Sequence, residues 1–434
     1  MGATFTTVYP HLHEKYFGKG GQASRLFTDI TEISPVMAYA KRNKAETEGG
    51  GRTMVFPVTT ALGSAVNPTF SVGQAKAQGT TAGSAMTRNR WEVSPTTIDA
   101  FAVWTRDAIL KANRNGNVGY ISNLIKEEID ARLTRLKNML CTGVTEAGWG
   151  RVGVIVSGAT TSLVLSSTYA NRLEIGDDLV ASSSESAAVL RDSGTASRIT
   201  GIAVDAVSGT TTLTMSTDVA AAGWAAGDTL FIEGWRQNSA TPTRLVPSGT
   251  RIWAPTTAPT DTFNGIARTG NPAYSAARFN CSGISDHASA FIKMVLYAQQ
   301  KSGTKVDAIV TSPEDMDIML RDAEANKIAD ASGKMGPYEI SFSGIGVRTS
   351  QGIVPVQSDA SFLPGTALAG PWNSPKDGPV LAYTMDLINV DDFDGLKMQR
   401  LASSAAYETR IFFDGNFIMP SIGLYTIAYN LPSS

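Results

Sequence analysis

The chain has 434 residues, a formal net charge of −2 at pH 7 and a hydrophobic fraction of 42%. That length exceeds the roughly 250 to 300 residues one hydrophobic core usually serves, so two or three modules are expected. The charge balance argues against electrostatic binding of nucleic acid, which relies on lysines and arginines at phosphates. Two cysteines, Cys141 and Cys281, make no disulfide framework and read as buried free thiols. No basic-then-apolar leader follows Met1, and no window is apolar enough to span a bilayer.

In chain order, a polar N-terminal arm (1–50) comes first and ends in the glycine hinge Gly49, Gly50, Gly51. From Arg52 to Thr60, Met54, Phe56 and Val58 alternate with Thr53, Val55 and Pro57 at the period of a strand. Pro57 cannot donate to a ladder, so an edge strand is expected. A glycine-dotted tip, Asn67 to Thr87, leads to a bulky return run through Trp91, Val93, Ile98 and Trp104. Such an arm has too little apolar surface to fold onto itself and is expected to lie on something else.

Behind a cap-like Asn117, the residues Val118, Ile121, Leu124, Ile125, Ile129, Leu133, Leu136 and Leu140 form one apolar helical stripe. Lys126, Glu127, Asp130 and Lys137 fall elsewhere, and Glu128 precedes Arg132 by four, a favourable helix pair. The helix predicted is roughly 35 Å long and ends at Thr142-Gly143, with glycine just past the C-cap.

From Val152 to Gly234 the sequence repeats itself. Ser157-Gly158-Ala159-Thr160-Thr161 before Leu163 is echoed by Ser208-Gly209-Thr210-Thr211-Thr212 before Leu213, and Ile175-Gly176-Asp177-Asp178 by Ala226-Gly227-Asp228-Thr229. Each copy reads as strand, tight Gly turn, strand, loop, Gly-Asp turn, strand. Two copies together could close a small barrel and so remove exposed edges. Pro242, Pro247, Pro255, Pro259 and Pro272 then mark an extended linker.

Asp286 caps a predicted helix through Gln300 with Phe291, Ile292, Val295, Leu296 and Ala298 on a broad apolar face, stopped by Gly303; such a helix is expected to be buried. Ala308 to Val310 is a short strand. Ser312 with Pro313, Glu314 and Asp315 starts a second helix. The fold class expected is α+β.

This order of parts resembles the major capsid proteins of tailed bacteriophages, the Hong Kong 97-type fold. Phe263-Asn264-Gly265-Ile266-Ala267-Arg268 resembles a short glycine-isoleucine-arginine element before the axial (A) domain, and Thr311-Ser312-Pro313-Glu314-Asp315-Met316 a strand-to-helix junction. Ile353-Val354-Pro355-Val356 resembles a later strand, and Tyr407-Glu408-Thr409-Arg410 with Met419-Pro420 the closing strands.

The resemblance implies an N-terminal arm (1–50), an E-loop (51–104), a peripheral (P) domain spine-helix region (105–150), an inserted β-barrel-like domain (151–237), a linker returning to the core (238–280), an A-domain (281–400) and P-domain closing strands (401–434). It implies a non-enzymatic subunit that self-assembles through hexamers and pentamers into an icosahedral virion shell around double-stranded DNA. Assembly would take place in the bacterial host cytoplasm, and the near-neutral charge suits a lining that must not grip packaged DNA. Portal and decoration proteins are further partners implied. With only about fifty residues before the E-loop there is no room for a fused scaffolding domain, so a separate scaffolding protein is implied. An encapsulin-type compartment shell and a β-rich surface or adhesion protein remain as alternatives.

Catalytic, cofactor and metal sites are not expected. His11 and His13 with Glu14 lack a partner cluster. Ser285-Asp286-His287 contains triad residue types, but neighbours at a helix start point apart, and capping is the better reading. Gly18 to Gly21 and Gly49 to Gly51 lack the setting of a phosphate loop, and Asp391-Asp392-Phe393-Asp394-Gly395 lacks calcium-loop spacing. Some members of the resembled family form Lys to Asn crosslinks from the E-loop; Lys76 is the lysine of this arm's tip, and a solvated tip residue is the preferred reading.

Overall fold

The computed structural model describes residues 34–44, 53–61, 87–105, 118–166, 172–186, 188–205, 210–321, 329–330, 345–350, 352–383, 389–390, 399–400 and 406–432. The α-helices among them are α1 (Pro35–Tyr39), α2 (Val118–Thr145), α3 (Thr250–Trp253), α4 (His287–Ser302) and α5 (Pro313–Arg321), and the rest is largely strand, so the chain is α+β.

Helix α2 has 28 residues, about 42 Å at the usual rise. Leu133, Leu136 and Leu140 are buried as their spacing requires, and the side chains of the first half lie outside the described residues. Two expectations fail here. Lys137 is buried, because α2 is covered on more than one side, and the helix runs through Gly143 to Thr145. Gly143 serves as a close-approach site instead, since a Cβ there would lie 3.5 Å from Pro247. At Gly249 a Cβ would come within 2.3 Å of the Gly143 carbonyl, so the returning linker lies directly on the helix end.

Strand Thr96–Thr105 pairs antiparallel along its whole length with Ala406–Ile418. That sheet also contains Val380–Tyr383, Lys41–Lys44, Asn389–Val390 and Gln399–Arg400. One face of the long pair carries Ile98, Ala102, Ile411 and Phe413 into the main core with α2, α1 and Trp372. A second sheet of seven strands runs in the order Ala277–Asn280, Thr426–Tyr429, Thr366–Gly370, Ala308–Thr311, Gly352–Ser358, Ile345–Thr349, Ala329–Asp330. Its own core is formed with Phe291, Met294, Val295 and Ala298 of α4.

These pairings cross the boundaries drawn in chain order. Part of 51–104 and part of 281–400 lie in the first sheet, while Ala277–Asn280 and Thr426–Tyr429 flank each other in the second. A strand is placed by its ladder, which chain order does not reveal. Helix α4 also departs from expectation: Ile292 and Leu296 are 36% and 44% exposed, so one flank of it faces outward.

Residues 151–232 form a closed six-stranded barrel, in the order Thr229–Ile232, Arg151–Ala159, Ser162–Ser166, Thr210–Met215, Ser197–Asp205, Asp178–Ser182 and back to Thr229–Ile232. The halves are related by an approximate two-fold. Each begins with a hairpin carrying a register shift, at Ile155/Ser157 and at Ile199/Gly201. Each Gly-Asp turn bonds to the first strand of the other half. Gly176 N–H donates to Ile199 O and Ile199 N–H to Asp177 O; Gly227 N–H donates to Ile155 O and Ile155 N–H to Asp228 O, all within 2.8 to 2.9 Å.

The first tight turn is not at Gly158, which lies inside a strand, but at Thr160-Thr161, where Thr160 has φ 38°. The equivalent loop of the second half, 206–209, lies outside the described residues. The chain's entry to and exit from the barrel are adjacent, a Cβ on Gly150 falling 3.1 Å from Trp235.

Candidate assembly surfaces

The hairpin Met54–Ala61 and Thr87–Val93 pairs only with itself among the described residues, and the exposed Pro57 sits on its free edge. Its base lies on the rest of the subunit, in keeping with an arm that has too little apolar surface to fold onto itself. Met54, Val58, Trp91 and Val93 are buried. Trp91 meets Trp253, Tyr274 and Phe263 edge-on, at centroid distances of 5.1, 5.6 and 6.0 Å, geometries favoured by ring quadrupoles.

The linker supplies these partners and shapes them with the Phe263–Arg268 element. Asn264 and Gly265, with φ of 47° and 81°, turn a short hairpin whose Asn264 carbonyl accepts from Glu92 N–H at 2.9 Å. Arg268 fixes that hairpin by a bidentate pair with Asp261 at 2.8 and 2.7 Å, a bond to Ile252 O at 2.6 Å and its guanidinium 4.7 Å from the Phe263 ring. The resembled element thus acts as a clamp on the hairpin base. The tip, including Lys76, lies outside the described residues.

The end of α2 carries a second polar assembly. Glu146, with a side chain 2% exposed, receives Arg172 Nη1 at 2.6 Å, Arg151 Nη2 at 3.1 Å and Arg251 Nε at 3.0 Å. Burial pushes its carboxyl up, but Arg151, Arg251 and Arg172 together outweigh this and hold it down at about 2. Glu185 pairs with both Arg151 and Arg251.

Arg172 also donates to Ser361 O at 2.8 Å. Two residues earlier, Asp359 accepts from Ser34 Oγ, from Val36 N–H at 3.4 Å and from Ser361 N–H at 2.9 Å, and so holds the start of α1. Burial raises the Asp359 carboxyl, and these donors and Arg172 only partly offset it. Nearer the middle of α2, Arg135 pairs with Asp177 and Glu174 of the barrel and donates to Arg172 O at 3.3 Å. None of Glu146, Arg172, Arg251 or Trp253 stood out in the sequence. The available signal was the dense glycine exit from α2, where Gly148 and Gly150 have φ of 79° and 78° and turn the chain sharply enough to bury the charges beside it.

Asp286 caps α4, accepting from Ser289 N–H at 2.6 Å, and Ser285 Oγ donates to Asp286. His287 is buried, its Nε2 3.3 Å from Asp315. Asp315 in turn accepts from Ser312 Oγ at 2.7 Å and Gly365 N–H at 2.9 Å, while Ser312 Oγ accepts from Asp315 N–H as the helix cap. Among the described residues no three His, Cys, Asp or Glu side chains cluster to hold a metal, and no helix is long and apolar enough to cross a membrane. His11, His13, Glu14, Gly18 to Gly21, Gly49 to Gly51 and Asp391 to Gly395 lie outside the described residues. Cys141 and Cys281 are buried free thiols, and burial raises both.

No family model matches the sequence, and no curated protein matches it. Among solved structures, the chain is similar to the cyanophage A-1(L) capsid asymmetric unit at 9% identity and TM-score 0.45, covering 93% of each chain. It is similar to the capsid of a native GTA particle at 7% identity and TM-score 0.44, covering 94% of this chain and 91% of that one. It is also similar to the holo-SrpI encapsulin complex of Synechococcus elongatus PCC 7942 at 7% identity and TM-score 0.41, covering 92% and 88%.

Proposed function

We propose that this protein is the major capsid protein of a tailed bacteriophage, a non-enzymatic Hong Kong 97-type subunit that assembles through hexamers and pentamers into an icosahedral head around double-stranded DNA. The observation that carries the reading is the hairpin. It is clamped at its base by Trp91, Trp253, Phe263 and Tyr274 yet pairs with no other strand among the described residues, and it leads into a long helix on a sheet closed by the chain's C-terminal part. A rigid root with an unpaired arm is what a subunit needs to reach a neighbour. A separate scaffolding protein, a portal and packaged DNA held without sequence preference are the partners this assembly requires, and the host cytoplasm is where it would occur.

Negative-stain electron microscopy of the expressed protein, alone and with a scaffolding protein, tests this. Closed shells are the expected result, and nuclease-protected DNA in particles from infected cells extends it. Particles loaded with protein instead of nucleic acid would assign the chain to a compartment shell, and a monomer under every condition would overturn the reading.

A further inference from the structure

We propose that Glu146 is the pin of a buried ionic joint that fixes the barrel's orientation on the subunit, so that the barrel is an integral part of the fold and not a freely swinging appendage. The inference stands whether or not the chain builds a shell.

Four segments meet at this one carboxylate: the end of α2, the first barrel strand five residues on through Arg151, a barrel loop through Arg172, and, about a hundred residues later, α3 through Arg251. The barrel contributes Arg151, Arg172 and Glu185, while the rest of the subunit contributes Glu146 and Arg251. The side chains of Glu146 and Arg172 are each 2% exposed. Charges so far from water are tolerated only while their partners stay in place. A barrel rotated away would strip Glu146 of two of its three guanidinium partners, while the Gly249 backbone still covered the helix end.

The second tether, from Arg135 to Asp177 and Glu174, lies eleven residues earlier on α2, about 16 Å along the axis. Two fixed points on one helix set the barrel's tilt as well as its position. Arg172 carries the constraint onward to Ser361, beside the Asp359 that holds α1, so the loop at 359–361 is ordered by the same joint.

The test uses the full chain with Glu146→Gln and, separately, Arg251→Met, read by hydrogen exchange and thermal melting of the unassembled subunit. With Glu146→Gln, amides at 172–174 and 359–361 are expected to exchange at least about tenfold faster. The melting temperature should fall by roughly 5 °C or more, with the barrel melting apart from the rest. Arg251→Met is milder and decides the matter should Glu146→Gln not fold. Arg251 bonds neither to Arg172 nor to Ser361, so faster exchange at both segments requires transmission through the joint's carboxylates, Glu146 and Glu185. Unchanged exchange at 172–174 and 359–361 in a folded Glu146→Gln protein, or an Arg251→Met effect confined to 249–254, would overturn the proposal. Shell formation is scored separately by microscopy, so loss of the capsid reading leaves this outcome intact.

Discussion

Asp177 and Asp228 occupy the same turn in the two halves of the barrel, yet they face different partners. Each accepts a backbone N–H within its own turn, from Glu174 at 2.8 Å and from Ala225 at 2.9 Å. Asp228 is held by Arg191 of the barrel in a bidentate pair at 3.0 and 2.9 Å, whereas Asp177 is held by Arg135 of α2. One copy of a repeated turn closes the module on itself, and the other fastens it to the subunit.

Alanine at either position should therefore weaken the barrel by about 1 to 2 kcal/mol, the scale of a charge-assisted hydrogen bond. Only Asp177→Ala should loosen the seam. Hydrogen exchange over 131–137 of α2 separates the two: faster exchange is expected for Asp177→Ala and none for Asp228→Ala. Equal effects on α2 would refute the division of labour.

Acid should weaken the subunit through Glu146. Its folded-state value of about 2 lies below the ordinary value of 4.5. The stabilisation is therefore complete above about pH 4.5 and is lost as the pH falls toward 2, on the order of 3 kcal/mol in all. Arg151, Arg172 and Arg251 face the carboxyl, and Glu185 lies on the far side of Arg151 and Arg251. Asp359 acts in the opposite sense. Burial raises its carboxyl and so favours the protonated form, which acid supplies. Stability measured by urea titration from pH 6 to pH 2 should show a shallower acid slope in Glu146→Gln than in the parent; parallel slopes would contradict the assignment.

Local patterns were readable where a side chain's neighbours are near in sequence. The stripe of Leu133, Leu136 and Leu140, the caps at Asp286 and Ser312, and the doubled Gly-Asp turn depend on spacings of three to five residues or on repetition. Ladders and buried charges were not readable. Thr96 and Gly415, bonded at 3.0 Å, are 319 positions apart. Lys137 read as an ordinary polar residue on a helix and Glu146 as nothing in particular, since only the folded linker and barrel decide that water is excluded from them. What covers the hairpin base was not readable for a related reason: Trp253 and Tyr274, which bury Trp91, come from a stretch that looked like an extended linker.

On α2, Leu133→Asp would place a carboxylate at a position 7% exposed, with a cost of several kcal/mol. Ala131→Asp, at an exposed position on the same turn, should change stability by only about 0.5 kcal/mol. Soluble yield and melting temperature of the two variants check the assignment of the buried face, and equal values would show it to be wrong.

The fragment Arg151 to Gln237 should fold alone. Its core of Val152, Ile155, Leu163, Leu165, Leu179, Ile199, Leu213, Met215 and Leu230 comes from its own strands, and Leu363 is the outside residue packed against it among those described. Arg151, Arg172 and Glu185 would simply be hydrated in the fragment, so the joint matters less to the barrel than to the carboxylate it covers. A β-type circular dichroism spectrum with a cooperative melt is expected. A spectrum of disordered chain would show that the barrel borrows its stability.

The hairpin's root and tip should fail in different ways. Trp91→Ala removes a fully buried indole from among three aromatic rings, at about 3 to 5 kcal/mol, and should lower the melting temperature of the subunit itself. Deleting the tip, Asn67 to Thr87, and joining the strands by a short turn leaves Trp91, Val93 and Met54 in place, so the subunit should stay soluble and melt nearly as the parent does. On the capsid reading the tip is what a neighbouring subunit receives, and this shortened protein should no longer close stable shells. Calorimetry and negative-stain microscopy on the same two preparations distinguish the roles. Normal particles from the tip deletion would remove the hairpin from the assembly mechanism, and a large fall in its melting temperature would mean that the tip belongs to the fold rather than to the contact between subunits.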